Sequence, residues 1–343
     1  MSAPTIHPDS PGNLAPTVPT RFRSQRYPEG LRINPFDLVP FILLIGLIVV
    51  ILLIDPRLAN LGTVETKANA ALTLVLIATG QTFAILTGGI DLSVGGMISL
   101  TNSLAATQMT SDPLNIIFWV ITIAAIGLIG GAINGFVIAV MRVTPFIATL
   151  ATWSVWSGMA LLVLESDGGK ISPPFKEAVR TSIFGIPGSL IIILVLVGLW
   201  LLFKRTRMGT RLYAIGSNEK SAILSGASAV RTKILAYALC GFFAAMAGLY
   251  RTVQVGSGSP VAGDGLILPS VAAVVIGGTS LAGGRGGVEL SIVGALIMLF
   301  INDLIFFAGV RTFYTPMVQG VFLILAVAIN AYGYRQSLKR ARE

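Results

Sequence analysis

Long apolar runs separated by short polar stretches dominate this chain, and the first run extends from Phe36 to Ile54. The hydrocarbon core of a membrane is about 30 Å thick and an α-helix rises about 1.5 Å per residue, so about 20 apolar residues span it. The pattern therefore predicts a series of spanning helices. They are expected at residues 36–54, 68–87, 90–109, 115–141, 145–164, 188–203, 234–255, 266–283, 288–308 and 312–333.

The first apolar run follows a basic segment, so a cleaved signal peptide must be weighed against a first span. The run is longer than a typical signal-peptide core, and it ends in Leu-Ile-Asp-Pro at 53–56 instead of a small-residue cleavage site. An uncleaved first span is favoured. The prediction is an all-α integral membrane protein of about ten transmembrane helices, with broken or half-length helices at glycine-rich elements.

Composition agrees with a membrane protein and divides the chain into three parts. Hydrophobic residues make up 54% and charged residues 11% of the 343 residues, whereas soluble domains carry about 25% charged residues. Residues 1–36 are rich in proline and arginine and cannot bury a core, so a disordered tail is predicted there. Residues 37–333 are expected to form a single transmembrane domain, followed by a basic tail at 334–343.

The distribution of positive charge predicts the orientation. Ten spans place both termini on one side, and most of the 24 lysine and arginine residues then fall on that side. They lie mainly in the N-terminal tail, in residues 204–233 and in the C-terminal tail. Cytoplasmic loops carry an excess of such residues. Both termini are therefore expected in the cytoplasm.

Several chemistries are excluded by single residues. The only cysteine, Cys240, lies in an apolar run, and the only histidine, His7, lies in the N-terminal tail. Together they exclude a disulfide framework, a cysteine-based metal cluster and a histidine-based nucleophilic site in the fold. The nearest Gly-Lys pair, at 169–170, lacks the spacing of a phosphate-binding loop. We expect no metal, no cofactor and no enzymatic activity in this chain.

The net charge of +9 does not indicate nucleic acid binding. The basic residues lie in loops and tails around apolar segments, and no basic helix or basic patch with interleaved aromatic residues is present. The lipid bilayer is the partner that the sequence predicts directly.

The longest predicted cytoplasmic connection, residues 204–233, contains the signals of a short helix. Asn218 is a good N-cap, Glu219 places negative charge in the first turn, and Gly226 can end the helix in the left-handed conformation. Ala222, Ile223 and Leu224 lie between the caps and have no obvious internal partner. Physical reasoning leaves two alternatives: a helix that rests on lipid headgroups, or a docking helix for a cytoplasmic partner.

Two related glycine-rich elements interrupt the apolar runs. The first, GGIDLSVGG, places Asp91 after Gly88 and Gly89, and the second is IGGTSLAGGRGG at residues 276–287. A carboxylate inside a membrane normally faces a cavity, a partner or a helix end. If the preceding helix breaks at the glycine pair, Asp91 can cap the next helix. Contact with a substrate and a gating role stay open as alternatives.

Further polar residues interrupt apolar runs and are candidates for a translocation pathway or gate. They are Asn134, Thr149, Asn302 and Asp303, and they join Gly88, Gly89 and Asp91 in that prediction. Each asparagine, and Asp303, can instead make an interhelical hydrogen bond. The external loop 165–188 is rich in glycine, proline and charge, with a possible short amphipathic helix, and is either a contact surface or a tether.

Four motifs in order carry a resemblance to a known family. GGIDLSVGG, TPFIATLAT at 144–152, MGTRLYAIGSNEKSAILSGA at 208–227 and AAVVIGGTSLAGGRGG at 272–287 resemble the ribose-type sugar ABC transporter permeases of bacteria. The resemblance covers about residues 37–333. It implies a ten-helix, multi-pass permease of the bacterial inner membrane that imports a sugar or similar small polar solute. Residues 218–226 are then similar to the coupling helix that sits in a groove of the ATPase.

The resemblance also implies partners. A periplasmic solute-binding protein delivers the substrate, a cytoplasmic ATP-binding subunit hydrolyses ATP, and a second permease subunit, identical or different, completes the pore. The chain departs from the family where members commonly carry Glu-Leu-Asp, because it has Ile267, Leu268 and Pro269 there. The substrate is left open by this difference.

One alternative function is kept. A stand-alone secondary transporter or channel for a small polar solute would use intramembrane carboxylates such as Asp91, Glu289 or Asp303 to bind coupling ions. A membrane enzyme is disfavoured because no cluster of acids, bases or metal ligands is visible in the sequence.

Overall fold

A computed structural model describes residues 38–311, 314–322, 324 and 328 of the chain. This part is all-α, with two isolated β-bridges and no strand, which confirms the predicted fold class. The helices are α1 Val39–Ile54, α2 Leu61–Leu86, α3 Val94–Gln108, α4 Pro113–Ala139, α5 Pro145–Val163, α6 Pro173–Arg180, α7 Gly188–Lys204, α8 Arg207–Ser217, α9 Glu219–Leu224, α10 Ala229–Val255, α11 Ile267–Ile276 and α12 Val288–Phe307.

Helix ends follow the local sequence. The Asn60 side chain accepts a hydrogen bond from the Gly62 amide at the start of α2, and Asp112 caps α4 through the Asn115 amide. Proline at the first position begins α4 and α5, where its missing N–H costs nothing. Gly256 ends α10 in the left-handed conformation, with φ +90°.

Within the described residues, five helices are long and apolar enough to cross a membrane: α2, α4, α5, α10 and α12. α7 and α8 together form a sixth candidate that is bent by 78° at residues 205–206. α1 is a shorter apolar helix. The predicted count of ten spans is not confirmed by these lengths, and half of the predicted last span lies outside the described residues.

The glycine-rich elements shorten the helices next to them, as predicted. α3 has 15 residues and begins at Val94, within GGIDLSVGG. α11 has only 10 residues and ends at Ile276, the first residue of IGGTSLAGGRGG. Both are too short to cross about 30 Å of hydrocarbon alone, because they extend over about 22 Å and 15 Å at about 1.5 Å per residue.

α2 and α10 form the centre of the bundle. α10 packs on α4, α2 and α3, and α2 also contacts α11 and α12. In contrast, α4 and α5 leave most of their apolar side chains exposed, for example Ile121, Ile129 and Leu162. These faces suit lipid or another membrane protein.

α4 and α10 approach each other closely through glycine. A Cβ on Gly127 would lie 2.5 Å from the Gly241 carbonyl oxygen, and a Cβ on Gly135 would lie 2.5 Å from the Ile234 Cα. Gly131, one turn from each, would collide with the Tyr237 carbonyl. The spacing of four residues puts these glycines on one face of α4. Backbone therefore packs against backbone along much of the pair.

The bundle has two ends, which we call the junction end and the loop end. The junction end holds the C-termini of α2 and α7 together with α8 and α9. The loop end holds residues 164–187 and the C-terminus of α10, where Gly168 and Gly258 pair through two backbone hydrogen bonds. The predicted amphipathic helix in the loop is α6.

Two sequence-based boundaries were wrong in detail. Residues 204–233 contain α8 as well as the predicted short helix, and α10 begins at Ala229 instead of 234. Apolar periodicity missed α8 because its exposed face carries Arg207 and Arg211. The predicted tails at 1–36 and 334–343 lie outside the described residues.

Candidate functional site

The two glycine-rich elements meet at the junction end. The Gly284 amide donates to the Leu86 carbonyl oxygen over 3.0 Å. A Cβ on Gly283 would lie 2.9 Å from the Gly88 nitrogen and 3.0 Å from the Gly216 carbonyl oxygen. Gly216, on α8, would collide with the Leu86 carbonyl if it carried a side chain. Three distant segments thus pack backbone to backbone, and we call this contact the glycine junction.

Three side chains tie the α7–α8 elbow to the second glycine element and to the start of α12. The Tyr213 hydroxyl donates to the Gly286 carbonyl oxygen over 2.6 Å, and Ser217 Oγ lies 3.5 Å from the Gly284 carbonyl oxygen. Lys204, at the end of α7, forms a 2.9 Å ion pair with Glu289 at the start of α12. A displacement of α8 would therefore pull on the second glycine element and on α12.

α9 is the short helix predicted at 218–226. Asn218 Oδ1 accepts from the Ser221 amide over 3.0 Å, and Gly226 ends the helix with φ +85°. Glu219 forms an exposed 2.7 Å ion pair with Lys233 on α10. α9 is thus capped at both ends and attached to the helix that follows it.

The apolar residues of α9 do not all lack a partner, which corrects the sequence-based expectation. Ala222 is buried, because it faces inward near α8, whereas Ile223 is 50% exposed and Leu224 is 88% exposed. A cavity of about 370 Å³ lies beside these residues and is lined by Thr210, Arg211, Ala214, Ser221, Ala222 and Ser225, among others. Ile223 and Leu224 are therefore left uncovered on a helix whose inner side borders an open recess.

Asp91 lies in the break between α2 and α3 and is completely buried. Its Oδ1 accepts from the Ser93 amide over 2.9 Å and from Ser93 Oγ over 2.6 Å. The N-cap of α3 is Ser93 itself, so the prediction that Asp91 occupies this position was wrong by two residues. Leu92 and Ser93 form a turn between Asp91 and the first residue of α3, Val94. The carboxylate supports the turn that leads into the helix.

The buried polar cluster around Asp91 joins three further helices. Gln81 on α2 donates from Nε2 to the Asp91 carbonyl oxygen over 2.6 Å. Asn134 on α4 donates to Ser93 Oγ over 2.7 Å, and Thr152 on α5 donates to Asn134 Oδ1 over 2.7 Å. Every one of these bonds links separate elements. The cluster fixes the first glycine break against α2, α4 and α5.

Gly88, Gly89 and Thr149 also lie at this break. Gly88 has φ +83°, a conformation that favours glycine, and a Cβ on Gly89 would collide with the Tyr237 hydroxyl. Thr149 Oγ1 lies 3.3 Å from the Ile90 carbonyl oxygen and 2.8 Å from that of Pro145. The structure therefore brings Gly88, Gly89, Asp91, Asn134 and Thr149 together.

Asn302 and Asp303 belong to a different place, toward the loop end of α12. Lys67 Nζ forms a 2.5 Å ion pair with Asp303 Oδ1, and Gln319 donates to Asn302 Oδ1 over 3.1 Å. Both residues thus make contacts between elements. The structure divides the predicted pathway residues between two regions.

The sequence reading missed a third polar region, formed by residues 256–266. After α10 this segment runs beside α3 with irregular backbone, and its amides bond to α3 side chains. The Ser259 amide donates to Asn102 Oδ1 over 2.7 Å, and the Gly263 amide donates to Ser99 Oγ over 3.0 Å. No sequence signal marked it beyond the glycine and proline content of 256–265.

The described residues offer no metal site, because they contain no group of three or more His, Cys, Asp or Glu side chains that could hold an ion. Asp91, Glu289 and Asp303 lie in separate contacts, two of them in ion pairs. The arrangement can bind, pack and move, and it shows no catalytic constellation.

Residues 63–327 match the family model described as branched-chain amino acid transport system / permease component. The chain is similar to the ribose import permease of Bacillus subtilis, with 38% identity over 300 residues that cover 85% of this chain and 91% of the relative. The ribose import permease of Escherichia coli K12 is 35% identical, with 84% and 92% covered. The D-allose transport system permease of the same strain is 35% identical, with 75% and 79% covered. No solved structure matches the chain.

Proposed function

The chain belongs to the permease family whose model matches it, and on this basis we propose that it moves a sugar or similar small polar solute into the cell. It is the membrane-spanning permease subunit of an ATP-binding-cassette importer, and a separate subunit hydrolyses ATP. One observation carries the proposal: sugar import permeases align with 84–85% of the chain at 35–38% identity.

The solute class rests on the relatives. The family model is described for branched-chain amino acid transport, but the similar proteins are permeases for ribose, D-allose and galactose. A small polyhydroxy solute is therefore the substrate class that we propose. The identity of the sugar is left to the transport assay below.

We propose that α9 docks on the ATP-binding subunit and that the junction end faces the cytoplasm. Support comes from Ile223 and Leu224, which are exposed apolar side chains on a helix held rigid by Asn218 and Gly226. An exposed apolar pair on a helix that borders an open recess suits an uneven protein groove better than a flat lipid surface. Positive charge at residues 204–233 supports the same orientation.

Movement of the ATP-binding subunit can be transmitted to the membrane helices through a small number of contacts. α9 is attached to α8, and α8 contacts both glycine-rich elements at the glycine junction. The first element carries the Asp91 cluster and starts α3, and the second starts α12. We propose that Gly88, Gly89, Asp91, Asn134 and Thr149 belong to the part of the permease that opens and closes.

The remaining partners follow from the function. A periplasmic binding protein delivers the solute to the loop end, where residues 164–187 and α6 are exposed. A second permease subunit, identical or different, covers part of the exposed faces of α4 and α5. Both termini are then cytoplasmic.

The secondary-transporter alternative receives less support. A coupling ion needs carboxylate oxygens, yet Asp303 is paired with Lys67 and Glu289 with Lys204. Their charges are already balanced by protein groups.

Reconstitution tests the proposal. The permease, its ATP-binding subunit and its binding protein are placed in proteoliposomes, and uptake of labelled D-ribose and a monosaccharide panel is measured. We expect uptake that requires ATP and the binding protein. Uptake driven by a proton or sodium gradient with the permease alone would overturn it.

A further inference from the structure

Asp264 is a carboxylate exposed at the middle of the membrane bundle. It is the only ionisable residue between Arg251 and Arg285. The next residue back, Gly263, bonds to Ser99 of α3, and its backbone packs directly against that of Gly95. Asp264 Oδ1 accepts a 3.3 Å hydrogen bond from Nε1 of Trp153, which lies at the middle of α5. The carboxylate therefore sits at mid-depth.

Neither the Asp264 carboxylate nor the irregular backbone of residues 256–263 is suited to contact with lipid. A carboxylate at the bilayer centre costs several kcal/mol unless it faces water or a partner, and the described residues give Asp264 no cationic partner. Irregular backbone at membrane depth occurs where it is buried in protein or lines a water-filled cavity. Residues 256–263 meet the first condition on the α3 side, through Asn102 and Ser99. The exposed side of the same segment therefore has to line a water-filled cavity.

A polar cavity opens onto the same segment from the loop end. Its volume is about 380 Å³, and its lining includes Asn102, Asp167, Arg251, Ser257, Ser259 and Gly265. Ligand pockets begin at about 300 Å³, so a monosaccharide fits. Gly265, which follows Asp264 in the chain, is part of the lining, so the cavity ends beside the residue that carries the carboxylate.

We infer that residues 257–265 line the solute path, and that Asp264 and Trp153 form a mid-membrane contact site for a polyhydroxy solute. The carboxylate accepts hydrogen bonds from hydroxyl groups, and the indole offers an apolar face to the C–H face of a sugar ring. The indole N–H fixes the carboxylate in position. This inference rests on the proposed function, and it assigns the solute contact to residues separate from the Asp91 cluster.

Transport kinetics of the complete reconstituted importer give the first test, with D-ribose and a monosaccharide panel as probes. Asp264→Asn keeps the size but weakens the hydrogen bonds to hydroxyls, because a charged acceptor is about twice as strong as a neutral one. We expect transport efficiency to fall about tenfold, which corresponds to about 1.4 kcal/mol, and the preference among sugars to change. Asp55→Asn, outside the segment, is the matched control and should transport normally.

Water access gives a second test that does not depend on transport. The native Cys240 is buried, so Asp264→Cys supplies the single accessible thiol. A membrane-impermeant charged thiosulfonate should label it in the assembled importer, and saturating D-ribose should slow the labelling. Ile129→Cys, exposed on the apolar face of α4, should stay unlabelled.

The outcomes separate the two proposals. An assembled Asp264→Cys importer that resists labelling would show that this residue faces protein or lipid, and the inference would be wrong. Loss of permease association in Asp264→Asn would assign the residue to a subunit interface and would also overturn it. If the unaltered importer moves no sugar in the panel, the proposed function fails, while labelling still reports whether Asp264 faces water. Labelling without protection by any sugar would overturn the contact site.

Discussion

The Gly284 amide donates a hydrogen bond to the Leu86 carbonyl oxygen over 3.0 Å, and this bond joins the two glycine-rich elements. Leu86 ends α2, so its carbonyl has no partner within its own helix. Gly216 of α8 packs against the same carbonyl. One backbone oxygen thus connects the C-terminus of α2, the second glycine-rich element and the helix next to α9.

Gly216→Ala tests the glycine junction. A Cβ at this position would overlap the Leu86 carbonyl and lie 2.5 Å from the Gly284 amide nitrogen, so the backbones must separate. We expect a loss of coupling between ATP hydrolysis and uptake, with a lower melting temperature. Both are measured on the reconstituted importer. Gly198→Ala in α7, where a Cβ would meet nothing within 4 Å, should be neutral or slightly stabilising. Equal behaviour of the two variants would contradict the close packing.

Ile223→Asp and Leu224→Asp test docking of the ATP-binding subunit. Each places a charge in a contact that should be apolar, so assembly should weaken strongly. The permease itself should stay folded, because both side chains are exposed and the caps Asn218 and Gly226 are unchanged. Pull-down of the ATP-binding subunit by detergent-solubilised permease is measured together with transport and permease abundance.

An exposed apolar residue at the other end controls for the added charge. Ile183 is 53% exposed in the loop-end region, and Ile183→Asp should retain the ATP-binding subunit. If both α9 variants also retain it and transport normally, α9 is not the docking helix. A lower abundance of permease in the membrane, with normal pull-down, would instead favour the lipid-surface alternative.

Asp91→Asn and Asp91→Leu separate structure from charge. Asparagine keeps an oxygen that can accept the Ser93 amide and hydroxyl hydrogen bonds, so we expect substantial transport. Leucine leaves these buried donors unpaired, at about 1–3 kcal/mol each, and should fold poorly. Abundance, melting temperature and uptake are measured for both. An Asn variant that assembles fully yet transports nothing would show that the charge itself is required.

Lys67 and Asp303 form a partly buried ion pair whose role a double-mutant cycle can test. Lys67→Met or Asp303→Leu alone leaves one partly buried charge without its partner and should destabilise by about 1–3 kcal/mol. The double variant should recover much of this loss and keep transport. Melting temperatures and uptake of the four proteins are compared. If the double variant is stable but cannot transport, Asp303 has a direct part in solute or ion movement.

Local signals predicted the helical elements well. Apolar runs identified the long helices, and the caps of α9 were readable because Asn218 and Gly226 act within one or two turns. The reliance on local signals also explains why α8 was not predicted. α8 carries arginines beside Gly209 and Gly216, so its composition does not read as apolar, and only contact with the glycine-rich elements explains its place.

The sequence pattern could not predict contacts between residues that are distant in the chain. Lys67 and Asp303 are distant in sequence and carry ordinary charges, so nothing local pairs them. Ala222 was expected to lack a partner because a six-residue helix shows no clear apolar face. The path of residues 256–266 depends on Asn102 and Ser99, polar residues of α3 whose side chains replace the hydrogen bonds that a helix would supply.

The glycine face between α4 and α10 constrains how the permease can change shape. With Gly127 and Gly241 in backbone contact and Gly131 against the Tyr237 carbonyl, sliding by even one residue would drive bulkier neighbours into carbonyl groups. Packed cores switch between discrete arrangements instead of deforming continuously. α4 and α10 must therefore travel as one rigid body, and the alternation of access belongs to the breaks around α3, α8 and α11, where short helices meet flexible glycine backbone.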